Sequence, residues 1–107
     1  MDWFSFYGCT VSTEKRRSDS GYDFRVDGFK GKTAAVEVRK YKSSTQVSIS
    51  VVRQMAGSVL IEKIPIGIIV SSAPFTRSAI NFAKEIEPEI HLWTLEDMAE
   101  GNQIINP

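Results

Sequence analysis

Cysteine occurs once in the 107 residues, at Cys9, and histidine once, at His91. One thiol cannot close an internal disulfide, and with a single imidazole beside it falls short of the four soft ligands of a structural zinc site. Any metal would be held by oxygen. No aliphatic run approaches the roughly 20 residues needed to cross a bilayer; the longest, Ile64 to Val70, is interrupted by Pro65 and Gly67. The amino terminus, Met1-Asp2-Trp3-Phe4, carries an acid where a secretory signal carries lysine or arginine, so the expected location is cytoplasmic. Repeats, low-complexity tracts, glycine-rich phosphate loops and Ser-His-Asp arrangements are missing. Net charge is missing too. Thirteen bases cancel thirteen acids, which argues against a protein that coats nucleic acid through a large positive field.

What is present is globular: 42% hydrophobic and 24% charged residues fit one domain with one core. The expectation is a single domain over residues 1–107. Charge cancels globally but not locally. Residues 14–42 hold nine bases against five acids, and residues 84–107 one base against six acids, which predicts a dipolar molecule if the two segments occupy different surfaces.

Cys9 to Lys15 reads as a strand and Arg16 to Gly21 as a polar loop. Tyr22 to Asp27 alternates apolar and polar residues, Gly28 to Lys32 supplies a five-residue turn, and Thr33 to Tyr41 resumes the alternation. That is a β-hairpin. Val47, Val51, Met55, Val59 and Leu60 recur at helical spacing, predicting a helix over residues 48–63 that Pro65 stops. Ile66 to Ser71 is a β-branched run suited to a strand covered on both faces. Thr76 caps a second helix ending before Pro88, Ile90 to Thr94 forms a last strand, and Leu95 to Glu100 a short helix capped by Thr94. A tight hairpin followed by alternating helices and strands predicts an α/β domain with a mixed central sheet flanked by helices.

The chemistry lies in the hairpin. If Asp27 pairs with Thr33, alternation puts Asp23 opposite Glu37, with Arg39 on the same face. Opposed Cβ atoms lie about 4.5–5.5 Å apart, so two bare carboxylates there would repel unless a cation joined them. Magnesium and manganese commonly take one or two carboxylates, with water and substrate phosphate completing the shell. Phosphodiester hydrolysis is the natural reaction class, with Arg39 offering a donor fork to the phosphate. The other reading of the same residues is a cross-strand network in which Arg39 and Arg25 neutralise the two acids on a solvated face.

Asp19-Ser20-Gly21-Tyr22-Asp23, followed by Val36-Glu37-Val38-Arg39-Lys40-Tyr41-Lys42, resembles the D-x-G-x-D and (Q/E)-x-K-R-Y elements of Mrr-type restriction endonuclease-like domains, of the PD-(D/E)xK nuclease superfamily. Ile68 to Thr76, with Ala79, Phe82 and Ala83, is similar to the strand, serine/threonine turn and alanine-bearing helix of that family. The resemblance covers roughly residues 8–98 and implies a restriction-endonuclease-like three-layer fold whose amino-terminal helix is short or missing here. It implies a Mg2+- or Mn2+-dependent endonuclease on DNA, in which Asp23 and Glu37 hold the metal and the motif lysine falls at Arg39.

Arginine at that position is a departure. Its guanidinium stays protonated and cannot act as a base. Arg39 stands as the third catalytic candidate, with Asp19, Lys40 and Gln54 as accessory candidates and Lys15, Arg16, Arg17 and Lys42 as nucleic-acid contacts. The aromatic cluster Trp3, Phe4, Phe6 and Tyr7 suits buried core better than a base-stacking platform, and His91 has no candidate partner. Cutting both strands calls for two active sites, so a homodimer is the assembly to look for. The alternative to catalysis is an inactive nucleic-acid-binding or regulatory module with a nuclease fold; a plain interaction domain is the third class.

Overall fold

Lys32–Arg39 pairs on both sides, antiparallel with the strand before it and parallel with the strand after it, and the sheet is built outward from it. The computed structural model describes residues 10–12, 22–42 and 45–99. In chain order the elements are β1 (Thr10–Ser12), β2 (Phe24–Phe29), β3 (Lys32–Arg39), α1 (Ile49–Glu62), β4 (Ile66–Ser71), α2 (Arg77–Glu85), β5 (Glu89–Thr94) and α3 (Leu95–Ala99). The five strands lie in the order β1-β2-β3-β4-β5. β1, β2 and β3 are antiparallel neighbours, whereas β3, β4 and β5 are parallel. The mixed sheet expected from the sequence is therefore present, and the helices follow the predicted spans closely.

The hairpin keeps the expected register, with Asp27 against Thr33 and Phe24 against Val36. Its turn differs from the expected five-residue loop. Phe29 pairs with Lys32 across a two-residue turn, Lys30-Gly31, and Gly28 is the extra residue of a bulge. Lys30, Gly31 and Gly28 all take positive φ, 52°, 77° and 95°, as a tight hairpin turn preceded by a bulge demands. The bulge offsets the shorter turn, so the side-chain alternation on both strands survives.

Two crossovers in the same direction place α1 and α2 on one face of the sheet, because each β-α-β connection is right-handed. There Val52, Met55, Ala56 and Val59 of α1 and Ala79 of α2 close over Ala35, Ile69 and Ile90. The other face buries Val26, Phe29, Ala34, Val36, Ile66, Ile68, Val70 and Trp93. Every residue of β4 is buried, as its uninterrupted apolar run requires. α1 ends at a left-handed Lys63 whose N–H returns to the Leu60 carbonyl, with Pro65 just beyond. Thr76 caps α2 by accepting from the Ala79 N–H, and Thr94 and Asp97 cap α3 reciprocally.

The basic and acidic segments touch at one point. Lys30 Nζ lies 2.8 Å from Glu89 Oε2, so the hairpin turn meets the start of β5 through one charge from each segment. His91, for which the sequence suggests no partner, places Nε2 2.6 Å from the same carboxylate oxygen and its ring edge-on to Phe29 at 5.5 Å. Hydrogen bonds from Lys30 and then His91 lower the Glu89 pKa below its ordinary value, against a smaller effect of burial.

Two measurements check this packing. A Cβ on Gly67 would come within 2.8 Å of Met55 Cγ and 2.9 Å of Ile90 Cδ1, so Gly67→Ala should cost about 1–2 kcal/mol as the flexible Met55 yields. The urea midpoint should fall with an unchanged slope. Because the folded pKa of Glu89 is depressed, its stabilisation is present above the unfolded value near 4.5 and is lost as pH falls through the folded one. The stability gap between wild type and Glu89→Gln should therefore shrink as the pH of thermal melts is lowered past that value.

Candidate active site

Strand alternation sends Glu37 and Arg39 to the same side of β3, the side that carries α1, just where the strand runs out. Glu37 is the more enclosed of the two, its side chain 12% exposed against 33% for Arg39. A carboxylate so covered needs a cation, and Arg39 supplies one by donating from Nη1 to Glu37 Oε2. The guanidinium also donates from Nε to the phenolic oxygen of Tyr41, whose ring lies 5.6 Å from Cζ. Burial opposes the Arg39 charge, but the hydrogen bonds to Glu37 and Tyr41 and the charge of Glu37 outweigh it and raise the pKa above its ordinary value. Arg39 is a fixed cation.

Asp23 reaches this group by a route the register alone does not describe. The β2–β3 ladder stops at Phe24 and Val36, and the Asp23 N–H donates to the Val36 carbonyl, 2.8 Å away. Asp23 is therefore not paired with Glu37 as a rung of the ladder. Its side chain instead takes the place of the missing strand: Oδ2 accepts from the Val38 N–H at 2.8 Å. Val38 stands between Glu37 and Arg39, so a carboxylate from just before β2 is fastened to the stretch of β3 that carries the other two groups.

Beyond Arg39 the parallel partner has also ended, and a hydroxyl continues the ladder. Ser72 donates its N–H to the Arg39 carbonyl at 3.1 Å; its Oγ accepts from the Tyr41 N–H at 2.8 Å and donates to the Tyr41 carbonyl at 3.3 Å. In the sequence Tyr41 ends the second hairpin strand and Ser72 lies within the serine/threonine turn, and neither carried an expected role in the site. The signal was available, because the alternation that joins Glu37 to Arg39 extends to Tyr41.

Of the remaining candidates, Lys40 and Lys42 are exposed just past β3, on the segment that carries Tyr41. Gln54 is exposed on α1 and its main-chain carbonyl accepts from Ser58; no side-chain bond joins it to Asp23, Glu37 or Arg39. Asp19, Lys15, Arg16 and Arg17, and the aromatic cluster of residues 3–7, lie outside the described residues. A cavity of about 510 Å3 between α2, β5 and α3, lined by Phe75, Ile80, Leu92 and Trp93 among others, touches none of the three site residues.

Among the described residues no three His, Cys, Asp or Glu side chains converge to hold a metal ion. A divalent cation here would rest on Asp23 and Glu37. That donor set fits a hard cation, since two carboxylates with water and phosphate oxygens satisfy magnesium or manganese.

A family profile described as restriction endonuclease, Mrr_cat, matches residues 1–101. Among curated proteins none matches the chain. Solved structures that share its fold include two restriction endonucleases. The DNA modification-dependent restriction endonuclease AspBHI superposes with a TM-score of 0.66 at 16% identity, over 91% of this chain and 28% of that one. The MspJI restriction endonuclease, in complex with a 27-mer oligonucleotide, gives 0.58 at 18% identity, over 90% and 23%. This chain thus spans about a quarter of the length of either.

Proposed function

Because the chain belongs to the Mrr_cat restriction endonuclease family, we propose that it hydrolyses phosphodiester bonds in DNA with a divalent cation, Mg2+ or Mn2+, held by Asp23 and Glu37. The observation that carries this reading is the Asp23 carboxylate bound to Val38, which brings an acid from just before β2 to the segment of β3 that holds Glu37. A bound cation supplies charge stabilisation to the phosphate and acidifies water. The protein supplies the rest. Asp23 keeps one oxygen on the Val38 N–H and leaves the other for the cation. Glu37 contributes a carboxylate ion-paired with its cationic neighbour. Arg39 takes the position of the motif lysine but cannot accept a proton, so its role is to donate to a phosphate oxygen as negative charge builds there. Lys40 and Lys42, exposed beside it, suit contacts to the phosphate backbone that orient a duplex without reading its sequence.

The second reading is a module that binds DNA without cutting it. One observation favours it: the residue at the lysine position is spent on Glu37 and Tyr41. Plasmid DNA incubated with the protein and Mg2+ or Mn2+ separates the two. Nicks should appear and should fall about a hundredfold or more in Asp23→Ala and Glu37→Ala, since even indirect support of a metal site is worth 10–100-fold. Cleavage that survives both substitutions removes the proposed site, and DNA binding without cleavage in wild type favours the second reading. If Arg39→Lys cuts faster than wild type, arginine is a weakened catalytic position; if it cuts more slowly, arginine is the working group. In salt titrations of DNA affinity, Lys40→Ala and Lys42→Ala should each lower the slope of log K against log salt by about one, as expected for one lost phosphate contact.

A further inference from the structure

The group at the end of β3 contains its own cation, and that cation sits where a metal ion would need a ligand. Arg39 Nη1 bonds the carboxylate of Glu37, and Arg39 does not hold this position unaided. Its Nε is bound by the Tyr41 hydroxyl and its guanidinium lies against the Tyr41 ring. Tyr41 is fixed in turn, because Ser72 bonds both its N–H and its carbonyl, and the ring packs at the margin of the α1-side core. The chain of restraint runs from the end of β4 through Ser72 and Tyr41 to Arg39, and from Arg39 to Glu37.

We propose that Tyr41 is a positioning residue which holds Arg39 on Glu37, so that a divalent cation and Arg39 compete for that carboxylate. This rests on the metal site proposed above and adds a property to it. Without metal, Arg39 places a positive charge beside a carboxylate that is largely covered, its side chain 12% exposed. Entry of a cation replaces that neutralisation and sets two positive charges beside each other, so Nη1 must leave Glu37. The Nε contact to Tyr41 does not involve Glu37 and need not break. The nitrogen that leaves is then available to an incoming phosphate oxygen. Metal loading and the presentation of Arg39 to substrate are in this way one exchange, with Tyr41 as its fixed end.

The competition has a readout that needs no DNA and no turnover. The purified 107-residue chain is titrated with Mn2+ and free Mn2+ is followed by electron paramagnetic resonance, with folding of each variant checked by circular dichroism. Arg39→Met removes the competing charge and should lower the Mn2+ dissociation constant by about tenfold, a change of about 1.4 kcal/mol. Tyr41→Phe keeps the ring but loses the hydroxyl, loosens Arg39 and should shift the constant in the same direction by a smaller factor, about threefold. Affinity that is equal to wild type or weaker in both variants, with Mn2+ still lost in Glu37→Ala, overturns the competition and leaves the metal site standing. Mn2+ binding that Asp23→Ala and Glu37→Ala leave intact, or its absence from wild type and from both tightened variants, overturns the metal site and the competition together. Binding seen only after Arg39→Met, and lost again when Glu37→Ala is added, supports the competition in its strongest form.

Discussion

A carboxylate nearly covered by protein cannot keep its charge unless a positive group meets it. At Glu37 that requirement organises everything near the end of β3. Arg39 lies two residues on and on the same side, so it meets the charge within the strand itself. Holding the guanidinium there takes Tyr41, and holding Tyr41 takes Ser72 from the end of the neighbouring parallel strand. Asp23 enters the same group through the backbone of Val38. Three strand ends, those of β2, β3 and β4, thus converge on one short segment.

The convergence depends on β3 having different neighbours on its two edges. An antiparallel partner places the start of β2 beside the finish of β3, and a parallel partner places the finish of β4 there as well. In a wholly parallel sheet the start of β2 would lie at the opposite end, and Asp23 would be a strand length away. The ladder also stops in time. Because Phe24 and Val36 are its last pair, the Val38 N–H is left for a side chain to take, and the Asp23 carboxylate becomes part of the sheet edge. Behind the site, β4 is buried along its whole length and the cores on the two faces hold the sheet rigid.

Arginine at this position brings its own constraint. Lysine is a point charge on a flexible stem, whereas arginine's fork can serve two partners at once. Here it does so, with Glu37 on one nitrogen and Tyr41 on another. A residue engaged in that way is held from two sides.

Much of this was readable without coordinates, for reasons tied to period. Alternation in Tyr22 to Asp27 and Thr33 to Tyr41 determined the hairpin and its register, since a slip of one residue would move Val26, Ala34 and Val36 out of the core they share with Phe29 and Trp93 and onto the opposite face. The unbroken run Ile66 to Ser71 determined a central strand, and helical spacing with Thr76 and Pro65 as punctuation determined α1 and α2. Three features were decided only by tertiary structure. The turn shrank to two residues with Gly28 as a bulge, because different combinations of turn and bulge preserve the same register. Lys30 found Glu89, a contact between β5 and a turn 59 residues earlier that no local pattern encodes. Asp23 met the Val38 N–H instead of pairing with Glu37 in the ladder, because the place where a ladder ends depends on the path of the chain that enters it. Periodicity assigns a side chain to a face, but hydrogen bonds past the last paired residues depend on where separate strands happen to stop.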